Sequence, residues 1–141
     1  MIEQRLTRRG FVKGAVAALA APYVITSTAL GGPDKPPASE RITLGTIGCG
    51  GRGTHDMNAL MANDDAQMIA VCDVVRAKRD AAKANVDKRY GNTDCATYRD
   101  LQELLARDDI DAVLVATGDN WHTTASILAA KAGKDIYCEK P

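Results

Sequence analysis

The sequence predicts a doubly wound α/β domain built on a parallel sheet, and three observations carry that prediction. Between residues 41 and 141, five short apolar runs alternate with four stretches of helical composition. The first run closes on a glycine cluster, Gly48-Cys49-Gly50-Gly51-Arg52-Gly53. The second ends on an acid, Asp73, placed 20 residues beyond Gly53. Strands separated by helices of this length pair in parallel through right-handed crossovers.

The elements follow in order. Residues 41–48, RITLGTIG, form a β-branched run that ends in glycine, as a buried strand running into a tight turn does. Residues 52–63 have helical composition, and QMIAVCD at 67–73 is the second strand. Residues 76–91 form a charged helix with Gly91 placed as its C-cap. DCATY at 94–98 is a short third strand, and 99–109 a helix with apolar residues at 101, 104 and 105. IDAVLVAT at 110–117 is the most continuous apolar run, the mark of a strand covered on both faces. A fourth helix spans 122–133, ending at Gly133, and DIYCE at 135–139 is the fifth strand.

At 141 residues the chain amounts to one domain or part of one. Apolar residues make up 45% and aromatics 4%, so the core is built from aliphatic side chains. Formal charge sums to zero, yet residues 1–29 hold Arg5, Arg8, Arg9 and Lys13 against Glu3 alone. The remaining body is slightly acidic, which argues against nucleic acid as a partner. Cys49, Cys72, Cys95 and Cys138 form no CxxC pair and meet no histidine at zinc spacing, so no metal site is expected.

Residues 1–29 show a charged start, an apolar middle and a small-residue end, the layout of an export signal. Pro22 and many small residues interrupt the apolar stretch, so no stable membrane span is expected. Thr7-Arg8-Arg9-Gly10-Phe11-Val12-Lys13 closely resembles the twin-arginine motif. Residues 30–40 then form a Pro-rich linker, expected to be extended and unpacked. The expectation is periplasmic or other extracytoplasmic localisation, with the twin-arginine machinery as a partner. The resemblance implies a route that carries folded proteins.

The glycine cluster fits GxGxxG in its required setting, after a strand and at the start of a helix. In that Rossmann fingerprint Gly48 permits the turn, Gly50 lets the backbone approach a pyrophosphate, and Gly53 lets helix and strand pack closely. Cys49, Gly51 and Arg52 complete the loop. Asp73 would accept hydrogen bonds from ribose hydroxyls, and its charge repels a 2′-phosphate, favouring NAD over NADP. Arg76 could pair with such a phosphate, stack on adenine, or stand in solvent.

With IDAVLVATGDNWHTTASILAAKAGKDIYCEKP added to the fingerprint, the sequence resembles the Gfo/Idh/MocA oxidoreductases from Arg41 to Pro141. The resemblance implies that the loop after strand four reaches the nicotinamide ribose through Thr117, Asn120, Trp121 and His122. It implies that Glu139 and Lys140 stand at the nicotinamide end, with Lys140 the catalytic residue that holds and polarises the reacting hydroxyl or carbonyl. Family members often have Thr-Pro where this chain has Thr117-Gly118, which loosens the turn here. They continue into a sheet-rich domain that supplies acid–base residues, so the chain is expected to be the N-terminal part of an enzyme. The full-length protein is expected to be a homo-oligomer acting on a sugar or polyol. An NAD-dependent glycosidase and a non-catalytic nucleotide- or sugar-binding protein are the alternatives on the same scaffold.

Overall fold

The computed structural model describes residues 30–32 and 36–140, so the twin-arginine segment read at 1–29 lies outside the described residues. Nine elements follow: β1 (Ile42–Ile47), α1 (Gly51–Leu60), β2 (Ala66–Cys72), α2 (Arg76–Tyr90), β3 (Ala96–Tyr98), α3 (Leu101–Leu105), β4 (Ala112–Val115), α4 (Asp119–Lys131) and β5 (Asp135–Cys138). All five strands pair in parallel, in the order β3-β2-β1-β4-β5.

Handedness decides where the helices lie. From β1 the chain steps outward to β2 and β3, then returns past β1 to β4 and β5. With every crossover right-handed, the two outward helices cover one face and the two return helices the other. The core divides accordingly. Met57 and Met61 of the α1 side and Ala82 and Val86 of α2 pack with Leu44, Met68, Val71 and Leu114. Leu104 and Leu105 of α3 and Ala125 and Ala129 of α4 pack with Ile47, Ala70, Val113 and Val115.

One irregularity sits in the central pair. Leu44 pairs with Met68, but Gly45 pairs with Ala70, so Ile69 is an extra residue in β2. A Cβ on Gly45 would lie 2.9 Å from Leu104 Cδ2, and its absence lets α3 press against β1 there. On the outer side, every residue of β5 is exposed.

Element boundaries differ from the sequence expectation for local reasons. The first helix stops at Leu60 rather than 63, because Asn63 Nδ2 donates to the carbonyls of Ala59 and Leu60 at 3.1 Å each. The third strand begins at Ala96 rather than 94. The Cys95 N–H is taken by Asp87 Oδ1 (3.2 Å) and the Asp94 N–H by Asn92 Oδ1 (3.3 Å). The third helix spans five residues, not the eleven of 99–109. Asp100 caps it by accepting from the Gln102 N–H, and a two-point Arg107–Asp109 pair (2.6 and 2.8 Å) bends the chain beyond it. The linker expectation also changes: Ala38–Glu40 make one turn of 3-10 helix, and Arg41 Nε donates to the Pro36 carbonyl at 3.0 Å.

Two aspartates pin loop segments in place, Asp111 against β1 and Asp87 from α2. Asp111 Oδ2 accepts from the Thr43 N–H and lies 2.7 Å from its hydroxyl as well, which holds the carboxyl below its ordinary value of 3.8. Asp87 is lowered from the same value, first by Lys83 at 2.8 Å and also by the Cys95 N–H. Groups lowered on folding add stability that is complete above the unfolded value and lost as pH falls through the folded one. The unfolding midpoint should therefore hold near neutrality and drop as pH falls below about 4. Thermal scans on Asp111→Asn should show a lower midpoint at neutral pH and a shallower acid limb.

Candidate functional site

The strand order reverses between β1 and β4, which opens a crevice at the carboxyl edge of a parallel sheet. A cavity of about 810 Å³ occupies that edge. It is lined from the β1 end by Gly48 and Gly50, from the β2 end by Asp73, Val74 and Val75, from the β3 end by Arg99 and Asp100, and from the β4 end by Thr117 and Trp121.

The glycine loop is shaped by backbone contact. Gly48 has φ +95°, and a Cβ there would lie 2.4 Å from the Ala116 carbonyl oxygen. A Cβ on Gly53 would lie 2.0 Å from the Gly48 carbonyl oxygen. Neither position has room for another residue. Gly50, by contrast, has nothing within 4 Å of where a Cβ would stand, so its half-buried backbone faces open space in the cavity lining. Gly50 is also the N-cap of α1, and no side chain caps that helix. Its N-terminal N–H groups and positive dipole end are suited to an anionic group. The loop therefore fits a pyrophosphate. Cys49 is buried beneath it, its Sγ 3.6 Å from the Cys72 carbonyl oxygen.

Asp73 locks this loop to the next one. Its Oδ2 accepts from the Cys49 N–H and its Oδ1 from the Val75 N–H, both at 2.8 Å. Each carboxylate oxygen can accept a second hydrogen bond, so Asp73 can serve ribose hydroxyls while it braces the loop. Arg79 donates to the Asp73 carbonyl at 2.6 Å. Arg76 does not line the cavity. Its side chain is 86% exposed and pairs with Asp80 at 3.4 Å. Lys78 and Arg99 are the cations that do line it, and sequence reading missed both. Lys78 is set by the helical turn after Asp73, whereas Arg99 arrives from β3, with no local signal linking it to the loop.

The β4 end differs from a simple loop. Gly118 is the N-cap of α4, so Asn120, Trp121 and His122 stand in its first turn. Thr117 Oγ1 lies 3.2 Å from the Gly118 carbonyl, a donated bond, and 3.2 Å from His122 Nδ1. His122 is buried and anchors the turn from below, while Asn120 is exposed and outside the cavity lining. Trp121 is 56% exposed and walls the cavity.

Glu139 extends the sheet ladder past β5, its N–H donating to the Val115 carbonyl at 2.9 Å. Its carboxylate meets Arg52 at 2.9 Å, which holds the Glu139 carboxyl below its ordinary value. Arg52 also pairs with Asp56 at 3.0 Å, so its guanidinium faces two carboxylates and stays out of the cavity lining, as does Gly51. Lys140 follows on the exposed strand end. Its ammonium makes no hydrogen bond or ion pair among the described residues.

The four cysteines are free. Burial pushes the Cys49 and Cys72 thiols up to about 12, aided by the charge of Asp73, and Cys95 to about 11. Such thiols hold their protons at neutral pH and are poor nucleophiles. Iodoacetamide at about pH 8 should label Cys138 alone in the native protein, and Cys49, Cys72 and Cys95 only after denaturation. Peptide mass mapping checks the pattern.

Comparison with known proteins agrees with this geometry. A family model described as an oxidoreductase family with an NAD-binding Rossmann fold matches residues 42–141. The chain is 37% identical over 100 residues to myo-inositol 2-dehydrogenase of Thermotoga maritima, covering 70% of this chain and 28% of that protein. It is also 37% identical over 109 residues to a glycosyl hydrolase family 109 protein of Saccharopolyspora erythraea, covering 74% and 23% respectively. Among solved structures, Lactobacillus casei myo-inositol dehydrogenase in complex with NAD(H) and myo-inositol superposes with a TM-score of 0.63 at 28% identity, covering 72% of this chain and 29% of that one. The chain thus spans between 23% and 29% of the length of these relatives. It has the glycine loop, the acid after β2 and the parallel sheet of an NAD-binding Rossmann domain, and it belongs to the Gfo/Idh/MocA oxidoreductase family.

Proposed function

We propose that this chain is the NAD-binding part of an exported oxidoreductase that moves hydride between a nicotinamide cofactor and a sugar, polyol or related hydroxyl compound. One observation carries the reading. Asp73 and Lys140 leave the same edge of one parallel sheet on opposite sides of the switch point, after β2 and β5, with the glycine loop between them. That is the layout for a dinucleotide laid across the strand ends. NAD, when bound, supplies the hydride acceptor. Asp73 accepts the ribose hydroxyls and its charge selects against a 2′-phosphate. The N-terminus of α1 receives the pyrophosphate. Thr117 and Trp121 wall the path toward the nicotinamide end, and Lys140 donates a hydrogen bond to the reacting oxygen. In this reading the proton of the substrate hydroxyl passes to a partner in a further, sheet-rich domain of the full-length protein, which acts as a homo-oligomer.

The relative named for glycosyl hydrolase family 109 supports a second reading, an NAD-dependent glycosidase in which a sugar is oxidised and re-reduced in place. Full-length protein supplied with NAD and a panel of inositols, hexoses and aryl glycosides separates the two. Net formation of NADH supports the dehydrogenase. Release of an aglycone with no net NADH supports the glycosidase. Neither outcome would leave a binding protein.

In the full-length protein, Asp73→Ala should weaken NAD binding by about tenfold to a hundredfold, the scale of losing hydrogen bonds to a charged group. Lys140→Ala should leave the NAD dissociation constant within about twofold and lower kcat by about a hundredfold. Titration calorimetry and initial rates read the two effects separately. Export rests on the motif at Thr7–Lys13. Replacing Arg8 and Arg9 by lysine should retain the protein in the cytoplasm, checked by cell fractionation.

A further inference from the structure

We propose that Arg52 is a positioning residue for the reactive end of the site: it fastens the strand end that carries Lys140 to the phosphate-binding helix. The proposal rests on the reading of Lys140 given above. Lys140 stands just past β5, one residue beyond the ladder bond from the Glu139 N–H to the Val115 carbonyl. Beyond that bond, a relay of charged contacts ties its backbone to α1. The Lys140 N–H donates to Glu139 Oε2 at 3.3 Å, Glu139 Oε1 meets the Arg52 guanidinium at 2.9 Å, and the same nitrogen of Arg52 meets Asp56 Oδ1 at 3.0 Å. Asp56 is buried on α1, one helical turn beyond Arg52.

Two features separate this relay from an ordinary surface ion pair, which contributes little. Both carboxylates are shielded, with side chains 9% and 8% exposed for Glu139 and Asp56, while the guanidinium between them is 60% exposed. In addition, Asp56 Oδ2 is buried with no hydrogen-bond partner, so Asp56 depends on Arg52 for its compensation. Without the guanidinium, two shielded carboxylates would face one another. The relaxation open to them is for Glu139 to swing outward, and Lys140 then loses the acceptor for its N–H. Arg52 lies inside the GxGxxG loop, between Gly51 and Gly53, so one short segment both receives the pyrophosphate and sets the far end of the cleft.

The test uses the full-length protein and three readouts: the NAD dissociation constant, kcat, and hydrogen–deuterium exchange at the Lys140 amide. Arg52→Gln should leave NAD binding within about twofold, lower kcat by about tenfold to a hundredfold, the scale of a small misplacement at a reacting centre, and speed Lys140 exchange at least about tenfold. Arg52→Lys should recover part of kcat. Should Arg52→Gln unfold, Arg52→Gln combined with Glu139→Gln removes the repulsion. That double variant should raise the unfolding midpoint yet leave kcat low. A rise of about tenfold in the NAD dissociation constant with kcat unchanged would make Arg52 a pyrophosphate contact and overturn the proposal. Unchanged kcat and exchange would also overturn it, while leaving NAD use by the unsubstituted protein intact. A wild-type protein that binds no NAD would remove both readings.

Discussion

At one point in the molecule three elements meet almost wholly through their backbones. The turn out of β1, the first residues of α1 and the chain leaving β4 converge where Gly53 faces the Gly48 carbonyl and Gly48 faces the Ala116 carbonyl. Backbone touching backbone fixes the pitch of α1 against the sheet more tightly than side-chain packing would, because no rotamer can yield. The consequences run outward. The N-terminus of α1 is aimed along the crevice, Cys49 is pressed beneath the loop, and the Cys49 N–H is presented to Asp73. The switch point exists because of strand order, but its shape is set by this contact.

Asp73 then does two things that are one piece of chemistry. Its carboxylate accepts backbone N–H groups from the loop before it in space and the loop after it in sequence, and this braces the turn whether or not a ligand is there. The spare acceptor sites on the same oxygens are the ones the proposed reading gives to a ribose. A neutral replacement therefore removes a contact and loosens the cradle together. The far side of the cleft is built on another plan. Past the ladder bond at Glu139, Lys140 is tied in by charge: Arg52 between two shielded carboxylates.

How much of this could be read from residues follows from distance along the chain. The glycines and Asp73 were legible because the fingerprint is local, with strand, turn, helix and acid in a fixed order. The sheet was legible because uninterrupted runs such as AVLV need cover on both faces. The start of α4 was missed because Gly118 makes its cap, where a Ser, Thr, Asp or Asn would have announced it. The short β3 and α3 were overextended because side chains of Asp87, Asn92 and Asp109, not backbone ladders, finish those segments. The Arg52–Glu139 contact spans 87 positions. Nothing in the local composition of either end points to the other, so only the folded sheet discloses it.

The extra residue in β2 has its own bearing on where the acid stands. Paired strands show paired residues to the same face, and a shift of one turns every later side chain over. Over the rungs it shares with β1, β2 is one residue too long, and the bulge at Ile69 absorbs the surplus before the strand reaches Cys72 and Asp73. The strand thus carries a slack of one position. A shortened β2 can take up that slack by pairing regularly and still deliver its acid to the glycine loop. A lengthened one has no such reserve, and would turn the carboxylate toward the opposite layer of helices. Tolerance to insertion and deletion along this strand is therefore lopsided, and the cofactor's acid is protected against loss of a residue but not against gain of one.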